Sequence, residues 1–351
     1  MPEEGNRERR RRIRQKMQES EVAVSRGRIR GIKEKGGERM YLAIDGGGTK
    51  TEYLLLDEAF RTAGRYLGGC VNHDFLADGW EGTRRELQRG TEAVLAGTGM
   101  KISDIRYAAA GLSGVDNGKD QEQMEEIFRE IGFAEYFVCN DGFLAVWAEC
   151  PAGVGIAYNC GTGVCCAGID EAGGMEKTAG LDEWSGDAGG GIWIVQNVFR
   201  LVYRSVVYAG EETSLAAAYK RKFSLETEED ILNSWNMLKD PAGYPEWSKE
   251  VITLFFAQLE EGDQEVWRLA RQMALCAAEN IGAVMERLVF STVPVTVALT
   301  GSVLTKAANE TYLTLLKEKI GEAAGVPLRL VAASKPPVEG ALWKLKAIRG
   351  K

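Results

Sequence analysis

Apolar and polar positions fall into blocks along this chain, and the period of the blocks changes from two to about three and a half and back. Between Tyr41 and Asp57 two apolar runs flank three consecutive glycines, the pattern of a strand, a tight turn and a second strand. Spaced apolar positions over 75–98 and 118–131 predict helices. A small-residue run, Tyr107 to Ala110, leads into a turn. A short strand, Tyr136 to Cys139, opens into a helix through Trp147. A second strand-and-turn unit runs from Gly153 into Gly161-Thr162-Gly163, and a third strand from Val295 ends at Gly301 and Ser302. Residues 190–290 read as mostly helical, amphipathic over 250–259 and 266–288, with their Met, Trp and Leu positions belonging to a core. Strands and helices that alternate in two halves predict an α/β fold. We place the lobes at 40–148 and 149–336, and with no Gly/Ser or Pro linker between them the expected motion is hinge closure over ligands.

Length agrees with two lobes, since 351 residues exceed one ordinary core of about 100–150. Hydrophobic residues at 45% and charged ones at 27% fit a globular protein. The least polar stretch, Gly153 to Ile169, is interrupted by Asn159 and Thr162, so no membrane span is expected and the location read is cytoplasmic. Residues 1–39 hold 13 Lys and Arg against 7 Asp and Glu, so the basic excess lies at one end of a chain whose net charge is −8. The run Arg9 to Arg14 carries no aromatic residue to stack on bases, and the segment lacks apolar periodicity. It is expected to be a disordered tail, with no nucleic-acid partner. Met40 is an alternative start, and the seven acidic residues are contrary to an import signal. His73 is the single histidine, which excludes His-based zinc clusters. Seven cysteines without a CxxC pair read as reduced thiols rather than as a disulfide or iron–sulfur framework.

The chemistry concentrates in the glycine turns. In Asp45-Gly46-Gly47-Gly48-Thr49-Lys50 the glycines let backbone N–H groups approach a phosphate, Thr49 adds a hydroxyl, and Lys50 is either a phosphate contact or a solvated charge. Asp45, at the strand end, faces the same place and suits Mg²⁺, directly or through water. An ordinary glycine hairpin is the competing reading; a P-loop and a Rossmann fingerprint are both absent. Thr162 lies 113 residues after Thr49, a lobe's worth of chain, so a nucleotide clamped between two such turns is expected, with Gly301 and Ser302 supporting the nucleoside. Asp116, emerging from Gly111-Leu-Ser-Gly-Val, is either a surface turn residue or a general base for a hydroxyl attacking phosphorus. Asn140 and Asp141 stand where a helix N-cap belongs. A lone loop histidine such as His73 is read as a hydrogen-bonding or packing residue, not a base.

Taken in order, Asp45-Gly-Gly-Gly-Thr49, Gly69-Cys-Val-Asn-His73, Gly111-Leu-Ser-Gly-Val-Asp116, Asn140-Asp141, Gly161-Thr-Gly163, Gly186-Asp-Ala-Gly189 and Thr300-Gly-Ser-Val303 resemble the BadF/BadG/BcrA/BcrD ATPase family within the actin-like, sugar-kinase and Hsp70 ATPase superfamily. Its best-known sugar-active members are N-acetylglucosamine kinases. The resemblance covers residues 40–351 and leaves out the basic tail. It implies a two-lobed actin-like (ribonuclease H-like) fold with ATP and Mg²⁺ between the lobes, and a last helix from Pro337-Val-Glu-Gly-Ala-Leu342 returning to the first lobe. It also implies Asp116 as base and sugar contact, Asp45 and Asp141 near the metal, and Asn72, His73, Gly180, Leu181 and Asp187 around a sugar. A homodimer is one assembly open to such a chain.

Three departures alter the implied sugar pocket. Ala179-Gly-Leu-Asp182 places Leu181 where the kinases carry a tryptophan, with Trp184 nearby as a substitute ring or a packing residue. Ala188 replaces an acidic residue, and Cys165 an asparagine that meets the acetamido group. The expected activity is therefore ATP-dependent phosphorylation of an amino sugar. Two other readings are an ATPase that activates a partner enzyme, whose cysteine motifs are missing here, and a non-catalytic sugar sensor.

Overall fold

Two five-stranded sheets with the same topology carry the α/β architecture. The computed structural model describes residues 39–178, 180–181, 184–208, 213–238 and 244–350, so the expected basic tail lies outside the described residues. The first sheet is built from β1 (Met40–Gly46), β2 (Thr51–Leu56), β3 (Thr62–Gly68), β4 (Ile105–Leu112) and β5 (Tyr136–Cys139), in the order β3-β2-β1-β4-β5. The second is built from β6 (Gly155–Cys160), β7 (Val164–Ile169), β8 (Met175–Lys177), β9 (Val295–Thr300) and β10 (Leu328–Ala332), in the order β10-β9-β6-β7-β8. In each, three strands form an antiparallel meander from the central strand to one edge, and two more join that central strand in parallel on its other side. The repetition in two halves expected from the sequence is thus present strand for strand.

The parallel pairs need crossovers, which the predicted helices supply. α1 (Gly79–Leu95) joins β3 to β4, α2 (Gly118–Ile131) joins β4 to β5, and α3 (Gly142–Glu149) leads from β5 into the second sheet. Asn117 caps α2, its side chain accepting from Lys119 and Asp120 N–H while Asp120 reaches back to the Asn117 N–H. Between β8 and β9 come α4 (Gly191–Val207), α5 (Ser214–Phe223), α6 (Glu228–Ser234), α7 (Tyr244–Glu261) and α8 (Gln264–Arg287); α9 (Glu310–Ala323) precedes β10 and α10 (Val338–Arg349) closes the chain. No helix among the described residues is long and apolar enough to cross a membrane.

Period two along each strand divides the core in three. One face of the first sheet, with Leu42, Ile44, Leu55 and Ala108, packs beneath α1 and α2, and one face of the second, with Ile156, Tyr158 and Cys166, packs beneath the later helices. The two remaining faces share a third cluster in which larger residues such as Tyr41, Leu54 and Ile169 accompany five alanines, Ala43 and Ala109 on one sheet and Ala157, Ala167 and Ala298 on the other. Those alanines leave room for α3 and α10, whose Leu144, Val146, Trp147, Val338, Ala341 and Leu345 fill the space. Gly340 makes their crossing close, because a Cβ there would sit 2.7 Å from the Leu144 carbonyl carbon. The last helix packs on α3 and on β1 and β4 of the first sheet.

Candidate functional site

β1, β4 and β5 are parallel neighbours, so their C-terminal ends open on one edge, the place where open α/β sheets bind ligands. Each end delivers a carboxylate. Asp45 follows Ala43 on the inner face of β1, Asp116 leaves the turn after β4, and Asp141 follows β5 directly. Burial is the first cause that pushes the Asp45 carboxyl up to about 7, with Asp141 and Glu52 adding to it and Lys50 opposing. Asp141 is likewise pushed up to about 6, first by burial and then by Asp116, against Lys177. The capping role falls to Asn140 alone: its Oδ1 accepts the Gly142 N–H at 3.0 Å, while Asp141 makes no side-chain cap bond.

Asp116 itself is exposed but held. Its Oδ1 accepts from Asn140 Nδ2 at 3.1 Å and from Lys177 Nζ at 2.8 Å, and its N–H donates to Asp120 Oδ2 at 3.0 Å. Among the described residues its Oδ2 accepts no hydrogen bond. Lys177 is a site residue that sequence reading passed over; it ends a three-residue strand, too short for any periodicity to mark.

The neighbouring loops converge on the same edge. Ser113 N–H donates to Gly46 O at 2.7 Å, which ties the turn after β4 to the first glycine turn. A Cβ on Gly114, which has φ +83°, would lie 2.5 Å from Asn72 Oδ1 and 3.0 Å from His73 Nδ1. Asn72 is buried and accepts the Asp74 N–H at 2.9 Å; the His73 ring stacks on Trp80 with centroids 3.8 Å apart. His73 Nδ1 and Ser113 Oγ are buried without a partner among the described residues, open positions that a hydroxyl-rich ligand or water can satisfy. A Cβ on Gly48 would meet the Phe75 ring at 2.9 Å, while Thr49 and Lys50 stand exposed at the rim.

The second turn is braced by backbone. Gly191 N–H donates to Gly161 O at 2.8 Å and Ile192 N–H to Thr162 O at 3.1 Å, so the start of α4 clamps Gly161-Thr162-Gly163. Gly301, at φ +87°, crosses directly over Cys160 and Gly161, and Ser302 follows it. Asp187 is buried; its Oδ2 accepts from Ser185 Oγ, whose oxygen accepts the Leu181 N–H at 2.8 Å. Gly180 lies against β7, where a Cβ would be 2.5 Å from Val164 O and 3.8 Å from Asp187 Oδ2. A cleft of about 250 Å³ lies here, lined by Thr162, Leu181, Trp184, Asp187, Trp193 and Gln196 among others. Leu181 at 57% and Trp184 at 95% exposure belong to this wall, not to the core, and Ala179 and Asp182 lie outside the described residues. Cys165, on the inner face of β7, joins the two groups of residues: burial, and then the charges of Asp141, Lys177, Asp116 and Asp187, bear on a thiol pushed up to about 12. It stays protonated and acts as a weak hydrogen-bond donor, not a nucleophile.

Asp45 and Asp141 repel across a shared space, and Lys50 and Lys177 offset only part of what raises them, which suits Mg²⁺, an ion that takes one or two carboxylates and completes its shell with water and phosphate. Among the described residues no group of three or more His, Cys, Asp or Glu converges on one point, so an ion here depends on ligands from outside the protein. The same repulsion makes a pH prediction. A carboxyl whose folded value lies above its unfolded one favours the fold when protonated, so the ligand-free protein loses this contribution as pH rises from about 4 to about 7. In metal-free buffer the melting temperature of wild type should fall relative to Asp45→Asn between pH 5 and 8, leaving the variant the more stable at the upper end. Parallel profiles of the two proteins would remove the buried repulsion.

The model of the BadF/BadG/BcrA/BcrD ATPase family matches residues 42–342. The N-acetyl-D-glucosamine kinase of Dictyostelium discoideum is 26% identical over 238 residues, which are 65% of this chain and 73% of that one. A candidate N-acetylglucosamine kinase from Chromobacterium violaceum superposes with a TM-score of 0.59 at 21% identity, over 87% of this chain and 98% of its own. Another, from Porphyromonas gingivalis, does so with a TM-score of 0.56 at 21% identity, over 89% and 100%. At these identities the structural likeness concerns the fold.

Proposed function

The chain belongs to the BadF/BadG/BcrA/BcrD ATPase family, and from that premise we propose that it transfers the γ-phosphoryl group of ATP to a hydroxyl of an amino sugar of the N-acetylglucosamine class. The observation that carries the reading is Asp116, a carboxylate anchored through one oxygen and open at the other, at the edge where the first glycine turn and the Asn72–His73 loop meet. The name of the Dictyostelium discoideum relative supports the choice of acceptor.

In this reading Asp116 Oδ2 takes the acceptor's proton while Asn72, His73 and Asp187 orient the sugar and the apolar wall of Leu181 and Trp184 lies beside it. Backbone N–H groups of Gly46–Lys50 and of Gly161–Gly163 hold phosphate oxygens, and Gly301 and Ser302 support the nucleoside. Asp45 and Asp141 would hold Mg²⁺, which when bound neutralises charge on the transferring phosphate. Closing the cleft excludes water and so favours the sugar hydroxyl as acceptor.

A coupled ADP-release assay with Mg-ATP and a panel of N-acetylglucosamine, N-acetylmannosamine, glucosamine and glucose tests the proposal. ADP release that requires an amino sugar is the expected result. Release at one rate with every sugar and with none would shift the reading to an ATPase serving a partner protein. Sugar binding without any ADP would point to a sensor.

A further inference from the structure

Lys177 occupies a position that a surface ion pair does not require. β8 pairs with β7 so that Lys177 stands opposite Ala167, and a Cβ on Gly142, at the start of α3, would lie 3.2 Å from the Ala167 Cβ. That register brings a residue of the second sheet to the strand ends of the first. Its side chain is only 15% exposed, and withdrawing an ammonium from water is costly unless it is paired well. From behind, Arg287 on α8 donates to Lys177 O at 3.4 Å and pairs with Glu176 at 3.8 Å, so the edge strand is held and the ammonium aimed.

Both donors that reach Asp116, Lys177 Nζ and Asn140 Nδ2, reach the same oxygen. Carboxylates anchored at one oxygen by a charged donor keep one orientation, and the other oxygen then faces a defined direction. Resting on the phosphotransferase reading above, we propose that Lys177 is a positioning residue: with Asn140 it fixes Asp116 Oδ1 so that Oδ2 receives the acceptor's proton. As the acceptor oxygen forms its bond to the γ-phosphorus, the bond from that phosphorus to the oxygen retained by ADP breaks, and the hydroxyl proton ends on Oδ2. Because Asp116 comes from the first sheet and Lys177 from the second, the base is set only where the two sheets meet.

A double-mutant cycle on the full chain tests this, with Lys177→Met, Asp116→Asn and both together, and Lys177→Arg as the conservative replacement. Lys177→Met should lower kcat for acceptor phosphorylation by about 10–100-fold, the scale on which orienting partners act, with KM for the sugar changed less than about threefold. Lys177→Arg should recover most of the loss. In the Asp116→Asn background Lys177→Met should change kcat by less than about twofold, because the group it positions is already gone. Should Lys177→Met fail to fold, Lys177→Gln completes the same cycle. Losses that multiply, or a raised KM with unchanged kcat, overturn the proposal, since Lys177 then acts on substrate or on the fold. Where wild type transfers phosphoryl to water instead of sugar, the cycle is read on ATP hydrolysis and only the acceptor assignment falls. Wild type that transfers to neither overturns the base and its positioning residue together.

Discussion

Asp116→Asn should lower transfer to the acceptor by about 10²–10⁴-fold while leaving nucleotide affinity within about twofold of wild type. The amide keeps the size of the carboxylate and an oxygen that Asn140 Nδ2 can still meet, 3.1 Å away in the native protein. What it lacks is a lone pair basic enough to take a proton, so the loss falls on the chemical step. A factor of 10²–10⁴ is about 3–5 kcal/mol of transition-state stabilisation. The glycine turns are fixed by their own backbone contacts and do not depend on the Asp116 charge. Steady-state ADP release paired with calorimetric titration of nucleotide separates the two effects. Turnover like that of wild type would take the base away from Asp116, and a parallel collapse of nucleotide binding would mean that the variant had lost its structure.

The sequence already points to the elements that place this carboxylate, for a physical reason. Strand ends and glycine turns are local: Asp45, Gly111 and Asn140 each close an apolar run, and a run of four to eight apolar residues bounded by glycine or a cap residue marks a strand without reference to anything distant. Parallel pairing of β1, β4 and β5 then follows from the intervening helices, so three carboxylates separated by up to 96 residues reach one edge. Lys177 is different in kind. Its position depends on how far the β7–β8 hairpin runs before it stops, a register set by the Asp170 turn, where Oδ1 accepts the Ala172 and Gly174 N–H groups. Nothing in Met-Glu-Lys announces that register. The stacking of His73 on Trp80 is equally silent in sequence, because it needs α1 to begin at Gly79 and turn its first residues back over the loop.

The inner alanines show the same limit from the packing side. Ala43, Ala109, Ala157, Ala167 and Ala298 read along the chain as ordinary small residues in strands, and only the alternation of faces shows that all five point into one layer. Larger residues there would push α3 away from both sheets, and with it Asn140 and Asp141, which precede its first turn. The site's geometry is therefore a consequence of how thin the layer between the sheets is, a quantity that no local pattern records.

Gly301→Ala should be the most damaging single-atom change in the nucleotide half of the site. Gly301 has φ +87°, a conformation that costs an L-residue about 1–2 kcal/mol, and an added Cβ would stand 2.7 Å from Gly161 N and closer still to the Cys160 carbonyl. These neighbours are backbone at the end of β6, held by the pairing of Asn159 with Thr300 and by Gly191 N–H on Gly161 O, so they cannot swing aside as a flexible side chain would. Overpacking against a fixed neighbour adds about 1–3 kcal/mol. Together these lower the melting temperature by about 3–7 °C for a chain of this size. Relief can come only by displacing Gly161-Thr162-Gly163, so the protein that remains folded should bind nucleotide at least about tenfold more weakly. Thermal unfolding with and without ATP reads both: wild type should gain more from saturating nucleotide than the variant does. Equal gains, with unchanged melting temperature, would mean that the crossing of Gly301 over β6 tolerates a Cβ and that this glycine does not shape the turn.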